Sequence, residues 1–171
     1  FSINKSDFVT SVSNSLREAT YRLFDVNKEI HVIPNFIEIE ETLLENKSIC
    51  QRSVLASTNE KIITHISNIR KVKNIPDVVK VFFNIQKEIP SKLMMVGEGP
   101  EKIIAEKLCE DLGISDKVIF FGNSNDINQI LKYSDLFLLP SETESFGLAA
   151  LEAMAFSVPV ISSNSGGIPE V

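Results

Sequence analysis

The chain has 171 residues, 43% of them hydrophobic and 23% charged, with a formal net charge of −6; this suits one domain with a real core plus part of a neighbour, and excludes a disordered segment. The acidic balance without a basic stripe excludes a nucleic-acid groove, and no apolar run approaches the roughly 20 residues of a membrane span. The opening Phe1-Ser2-Ile3-Asn4-Lys5 lacks the pattern of a signal peptide, and the distant Cys50 and Cys109 lack metal spacing, so both read as reduced thiols of a cytoplasmic chain.

In chain order, residues 8–12 read as a short strand. Ser13 then caps a helix whose Leu16, Ala19, Leu23 and Phe24 recur at helical spacing. Residues 30–33 form a second strand, stopped by Pro34-Asn35. This strand–helix–strand unit is too small to fold alone, and residues 1–35 read as the tail of an earlier domain with its hinge. Residues 36–59 are polar, with Glu38, Glu40, Glu41 and Glu45 close together, and read as a linker and lead-in to a second domain spanning 36–171.

From Lys61 a regular alternation begins. Strands are predicted at 62–66, 93–96, 118–121, 136–139 and 158–161, with helices near 76–89, 101–112, 126–133 and 147–156. Pro76 takes the favoured first helical position, and Val78, Val79, Phe82, Ile85 and Ile89 share one stripe. Gly113 supplies the stop of the next helix. Continuous apolar strands alternating with amphipathic helices predict an α/β, doubly wound parallel sheet of the Rossmann-like kind, whose ligands bind beyond the carboxyl ends of the strands. The ending at Gly166-Gly167-Ile168-Pro169-Glu170-Val171 opens a further helix, so the second domain reads as incomplete, and the chain as cut short at both ends.

The segment 141–155 carries the chemistry. It follows a strand and opens a helix, where unpaired amides and a partial positive charge hold phosphate or sugar oxygens. Gly147 lets a ligand approach the backbone, and Ala149, Ala150, Ala153 and Ala155 give a small face for packing. Were the segment helical throughout, Glu144 and Glu152 would lie about 12 Å apart along the axis. That suits a hexose at one end of a nucleotide sugar and a ribose at the other. It is too wide for two carboxylates acting on one glycosidic bond, which need at most roughly 9.5 Å. Glu152 has the apolar neighbours Leu151, Ala153 and Met154, so a plain surface role suits it poorly.

Glu144 and Glu152 with Ser145-Phe146-Gly147-Leu148 between them, and Val158-Pro159-Val160-Ile161 followed by Gly166-Gly167-Ile168-Pro169-Glu170, resemble the signature of the family 4 retaining glycosyltransferases. Within that family, the run 66–73 and Ile33-Pro34-Asn35-Phe36-Ile37 are similar to the N-acetylglucosaminyl L-malate synthases of bacillithiol biosynthesis. The resemblance implies two Rossmann-like domains of the GT-B type, this chain holding the C-terminal, nucleotide-sugar-binding one. It implies transfer of a hexose, N-acetylglucosamine by the subfamily likeness, from a UDP-sugar to a small acceptor, L-malate by the same likeness, with retention and with no metal or other cofactor. Glu144 would contact hexose hydroxyls and Glu152 the ribose, while amides around Phe146, Gly147 and Leu148 would meet sugar and diphosphate.

Two further groups follow. Arg70-Lys71-Val72-Lys73 sits past a strand end, where cations would stabilise the departing diphosphate. No Asp-x-Asp pair is present to hold a divalent ion, so Arg70 and Lys73 are assigned that role. The family pattern has its arginine five positions before the lysine, where Asn68 stands here. Gly97, in the turn Gly97-Glu98-Gly99-Pro100, resembles the family's glycine turn near the donor, and Phe121-Gly122 resembles its seat for uracil. His31 and His65 are solitary and read as structural. The rivals are a UDP-sugar epimerase-like or phosphorylase-like enzyme on the same two-domain plan and a non-catalytic nucleotide-binding module. The residues leave homo-oligomerisation open, and without the acceptor domain this chain alone is expected to be inactive.

Overall fold

A computed structural model describes residues 2–38, 52–124 and 127–171. Most of the predicted linker, and Cys50, lie outside the described residues.

The first unit is strand β1 (Thr10–Ser11), helix α1 (Asn14–Leu23) and strand β2 (His31–Val32), the two strands pairing in parallel. Both strands are shorter than predicted. Ser13 caps α1 as read from the sequence, its Oγ accepting from the Leu16 amide at 3.0 Å. Leu16, Leu23 and Phe24 are exposed rather than buried, so the helical spacing located the helix but not a covered face.

The second unit follows helix α2 (Arg52–Leu55). Strand β3 (Lys61–Ile66), helix α3 (Ile75–Glu88), strand β4 (Ser91–Val96), helix α4 (Lys102–Asp111) and strand β5 (Val118–Gly122) come first. Helix α5 (Ile127–Tyr133), strand β6 (Leu136–Leu139), helix α6 (Leu148–Ala155) and strand β7 (Val160–Ser162) complete it. The five strands are parallel in the order β5-β4-β3-β6-β7. The order reverses between β3 and β6, and there the crossover helices diverge to leave a crevice beyond the carboxyl ends of the strands.

Period-two alternation divides the strands between two cores. Ile62, Ile66, Met94, Val96, Phe137 and Leu139 point to one face, against Leu131, Ala150 and Ala153 of the covering helices. Ile63, Leu93, Met95 and Leu138 point to the other, against Val78, Val79 and Phe82 of α3 and Cys109 of α4. Ile89 departs from the predicted stripe: it lies past the end of α3 and is exposed. Cys109 is a free, buried thiol, pushed up to about 11 mainly by its burial. Pro159 precedes the last strand, which begins two residues later than predicted. Among the described residues no helix is long and apolar enough to cross a membrane.

The first unit is tied to the second through the amino end of α1. Glu170, in a 3-10 turn (Ile168–Glu170), accepts from the Asn14 and Ser15 amides, both at 2.8 Å, and from Asn14 Nδ2 at 2.9 Å. These bonds satisfy otherwise unpaired helix donors and set a carboxylate at the positive end of the helix. The Ser15 and Asn14 amides thereby hold the Glu170 carboxyl below its ordinary range. Beside it, Ser13 Oγ donates to the Ser145 carbonyl at 2.6 Å. A depressed carboxyl contributes stability above its unfolded pKa and loses it as pH falls through the folded one. Glu170→Gln is therefore expected to lower the melting temperature at pH 7 by roughly 1–3 °C. Melting scans should show that difference closing as the pH is lowered through the depressed pKa.

Candidate functional site

The crevice at the sheet's switch point holds a cleft of about 400 Å³, within the size range of small-molecule sites. Two loops build its charged wall. The loop after β3 carries a 3-10 turn, Lys71–Lys73, and the loop after β6 runs from Pro140 to Gly147. Adjacent parallel strands bring these loops together, since Ile63 is in register with Leu136 and Thr64 with Phe137. The Glu142 amide then donates to the Val72 carbonyl at 2.9 Å, fixing one loop against the other.

The main contact across the cleft wall joins residues far apart in sequence. Lys73 Nζ lies 2.6 Å from Glu144 Oε1, and Ser141 Oγ donates to the same oxygen at 2.8 Å. The Lys73 and Glu144 side chains are 20% and 12% exposed, so this pair is only lightly screened by solvent. Glu144 is thus no solvated loop acid. It also precedes α6 rather than lying within it, so the distance estimated for a continuous helix does not apply. Glu152, one turn into α6, lines the same cleft, and burial raises its carboxyl above the usual range. Ionised, it sits incompletely solvated and would gain from hydrogen-bond donors on a ligand.

Of the other predicted residues, Gly97, Phe146, Gly147 and Leu148 line the cleft. Arg70, Phe121 and Gly122 are not among its lining residues. Arg70 heads the 3-10 turn and is exposed, its neighbour Ile69 being the residue fully buried to anchor the loop. Phe121 packs against the core, and the Gly122 carbonyl accepts from the Gly97 amide at 2.7 Å. Asn123 and Ser124, one and two residues further on, supply that wall instead.

The sequence reading passed over several polar residues here. Ser67 and Asn68 line the cleft just past β3, as does Asn35 from the hinge, and fully buried Ser141 holds Glu144. Their position immediately after predicted strands was the available signal. The loop after β7 braces the loop after β6, with the Gly167 amide donating to the Glu144 carbonyl at 2.7 Å and Ser165 Oγ to that of Glu142 at 2.5 Å.

His65 is fully buried beneath this wall, with Nδ1 2.8 Å from the Leu138 carbonyl and Nε2 2.7 Å from Ser67 Oγ. Burial pushes it down to about 4, so it is a neutral, satisfied histidine, as read from the sequence. His31 is exposed and stacks on Phe8, ring centroids 4.5 Å apart. Among the described residues there is no group of three or more His, Cys, Asp or Glu side chains placed to hold a metal ion.

The chain is 45% identical over its whole length to the N-acetyl-alpha-D-glucosaminyl L-malate synthase of Bacillus anthracis, covering 45% of that protein. It is 33% identical over 95% of its length to an uncharacterised glycosyltransferase of Methanocaldococcus jannaschii, covering 44% of it. It thus spans a little under half the length of these curated relatives. The Anabaena HepE protein, solved with UDP and glucose, superposes with a TM-score of 0.80 over 98% of this chain and 47% of that one, at 22% identity. That likeness shows a GT-B type fold. The family model described as glycosyl transferases group 1 matches residues 47–171, the stretch that builds the sheet, the switch-point loops and both cleft carboxylates, and on that match the chain belongs to the group 1 glycosyl transferases.

Proposed function

We propose that residues 36–171 form the nucleotide-sugar-binding part of a retaining glycosyltransferase, and that residues 1–35 belong to the acceptor-binding domain and hinge. The donor is UDP-N-acetylglucosamine, used without a divalent ion, and the acceptor is a small hydroxy acid of the L-malate kind in a cytoplasmic pathway. The observation that carries this reading is the Lys73–Glu144 pair at 2.6 Å in a cleft that also receives Glu152. The 45% identity to a synthase named for that sugar and that acceptor supports it.

In this reading the bond from the anomeric carbon to the diphosphate oxygen breaks and UDP leaves with the electron pair. The acceptor oxygen bonds to that carbon and its proton passes to the departing phosphate or to solvent. Lys73 neutralises the charge that grows on the diphosphate, helped by the amides that open α6 and by Arg70 as a more distant cation. Glu144 orients hexose hydroxyls, and Glu152 accepts from the ribose.

Calorimetry on the full-length protein in the presence of a chelator tests the donor. UDP is expected to bind more tightly than ADP or GDP; binding that requires added magnesium would sink the metal-free reading. The carboxylates should separate in the same assay. Glu152→Gln is expected to weaken UDP about tenfold to a hundredfold, the range for a hydrogen bond to a charged group. It should not lower the stability of the ligand-free protein at pH 7. A raised carboxyl contributes stability at low pH and loses it as pH rises through its folded pKa, so a neutral amide is no worse there. Glu144→Ala should leave UDP affinity near wild type and lower turnover. Equal weakening of UDP by both substitutions would refute the division of roles.

A further inference from the structure

Ser67 is fixed from three directions at the floor of the cleft. Its amide donates to the Val96 carbonyl at 3.0 Å. Its carbonyl lies so close to Gly97 that a Cβ there would stand 1.9 Å from the oxygen. Its hydroxyl lies 2.7 Å from His65 Nε2. The direction of that last bond follows from the other side of the imidazole. Nδ1 faces the Leu138 carbonyl at 2.8 Å, and a carbonyl only accepts, so Nδ1 carries the hydrogen. A lone pair there would confront the carbonyl oxygen in a fully buried place, an arrangement that burial makes expensive. The ring being neutral, Nε2 then has only a lone pair, and the Ser67 hydroxyl must donate to it.

The single hydroxyl hydrogen of Ser67 is therefore committed inward, and only its lone pairs remain for a ligand. Phosphate and carbonyl oxygens are acceptors and gain nothing from such a group. Ligand hydroxyls and amide N–H groups do gain. We propose that Ser67 is a specificity-determining residue that accepts a hydrogen bond from a sugar or ribose hydroxyl or from the acetamido N–H of the sugar nucleotide in the cleft, with His65 as the positioning residue that sets this polarity. The proposal rests on the donor-site reading above and extends it to a position outside the acidic motif.

Two measurements on the full-length protein test it. Long-range proton–nitrogen NMR of His65 at neutral pH is expected to show a protonated Nδ1 and a bare Nε2; a protonated Nε2 overturns the proposal without any ligand. Calorimetry then compares wild type and Ser67→Ala with UDP-N-acetylglucosamine, with its singly deoxygenated sugar analogues, with the analogue lacking the acetamido group, and with 2′-deoxyribose and 3′-deoxyribose forms. Ser67→Ala is expected to weaken the parent ligand about fivefold to tenfold, the share of one neutral hydrogen bond. One analogue should bind both proteins equally, and its missing group identifies the partner as sugar hydroxyl, amide N–H or ribose hydroxyl. A loss of the same size against every ligand marks a merely structural serine, and no loss at all also overturns the proposal. Failure of the wild type to bind any UDP-sugar would instead defeat the donor-site reading, and this one with it.

Discussion

Lys73→Ala in the full-length protein is expected to lower turnover at least about a hundredfold, the usual loss when a preorganised group that stabilises developing charge is removed. Lys73 sits in the loop after β3, in the cleft and 2.6 Å from Glu144. As a diphosphate leaves, charge accumulates near it, so the loss should fall on kcat more than on the affinity for UDP. The pairing adds a second signature. Removing Lys73 frees Glu144 from its cation, and removing Glu144 frees Lys73. The double variant Lys73→Ala/Glu144→Ala should therefore cost less than the sum of the singles in activation free energy. Lys71 and Arg70 act as internal comparisons. Both are exposed and neither lines the cleft. Lys71→Ala should change the rate by less than about threefold, as exposed charges contribute little. Arg70→Ala should fall between the two, because its long side chain heads the same turn. Rate measurements in which Lys71→Ala is the damaging change and Lys73→Ala is mild would overturn the assignment.

The largest effect on stability is expected at Gly97. Its φ of +121° is a conformation that side chains rarely adopt, and an added Cβ would meet the Ser67 carbonyl oxygen at 1.9 Å and carbon at 3.0 Å. Both contacts are backbone, so no rotamer change relieves them. Conformational strain and overpacking together amount to about 3 kcal/mol or more. For a chain of this size that lowers the melting temperature by roughly 6–12 °C. Gly113 provides the control. Its φ is +67° but an added Cβ meets nothing within 4 Å, so Gly113→Ala should cost only about 1 kcal/mol of backbone strain. Thermal melts with Gly97→Ala no worse than Gly113→Ala would show that the close approach of β4 and the loop after β3 is not maintained in solution. In the active protein Gly97→Ala should also raise KM, since the carbonyl it displaces belongs to a cleft residue.

The sequence by itself determined the layers of this protein. Short continuous apolar runs such as 136–139 and period-3.6 helices such as 75–88 carry their own signal, because a strand covered on both faces and a helix covered on one each impose their own pattern on the sequence. Hence the five strands of the sheet and the helices between them were legible to within a few residues, and the carboxylates Glu144 and Glu152 were legible from their motif. Irregular loops have no such period, and there only the tertiary structure decided. Arg70, Lys71 and Lys73 are equivalent as a basic run. Lys73 alone turns into the cleft because Val72 accepts a bond from Glu142 and Ile69 anchors the loop in the core. Phe121 was placed by likeness at a ligand and instead packs, half-buried, against the core, since its strand presents that face to the sheet's covering helices. That His65 is structural was read from the sequence, but its partners were not: they are the carbonyl of Leu138 on a neighbouring strand and the hydroxyl of Ser67 beyond the strand end. Strand order made the first of these contacts: β3 and β6 are 70 residues apart in sequence yet adjacent in the sheet, and the crevice between their loops exists only once that order is formed.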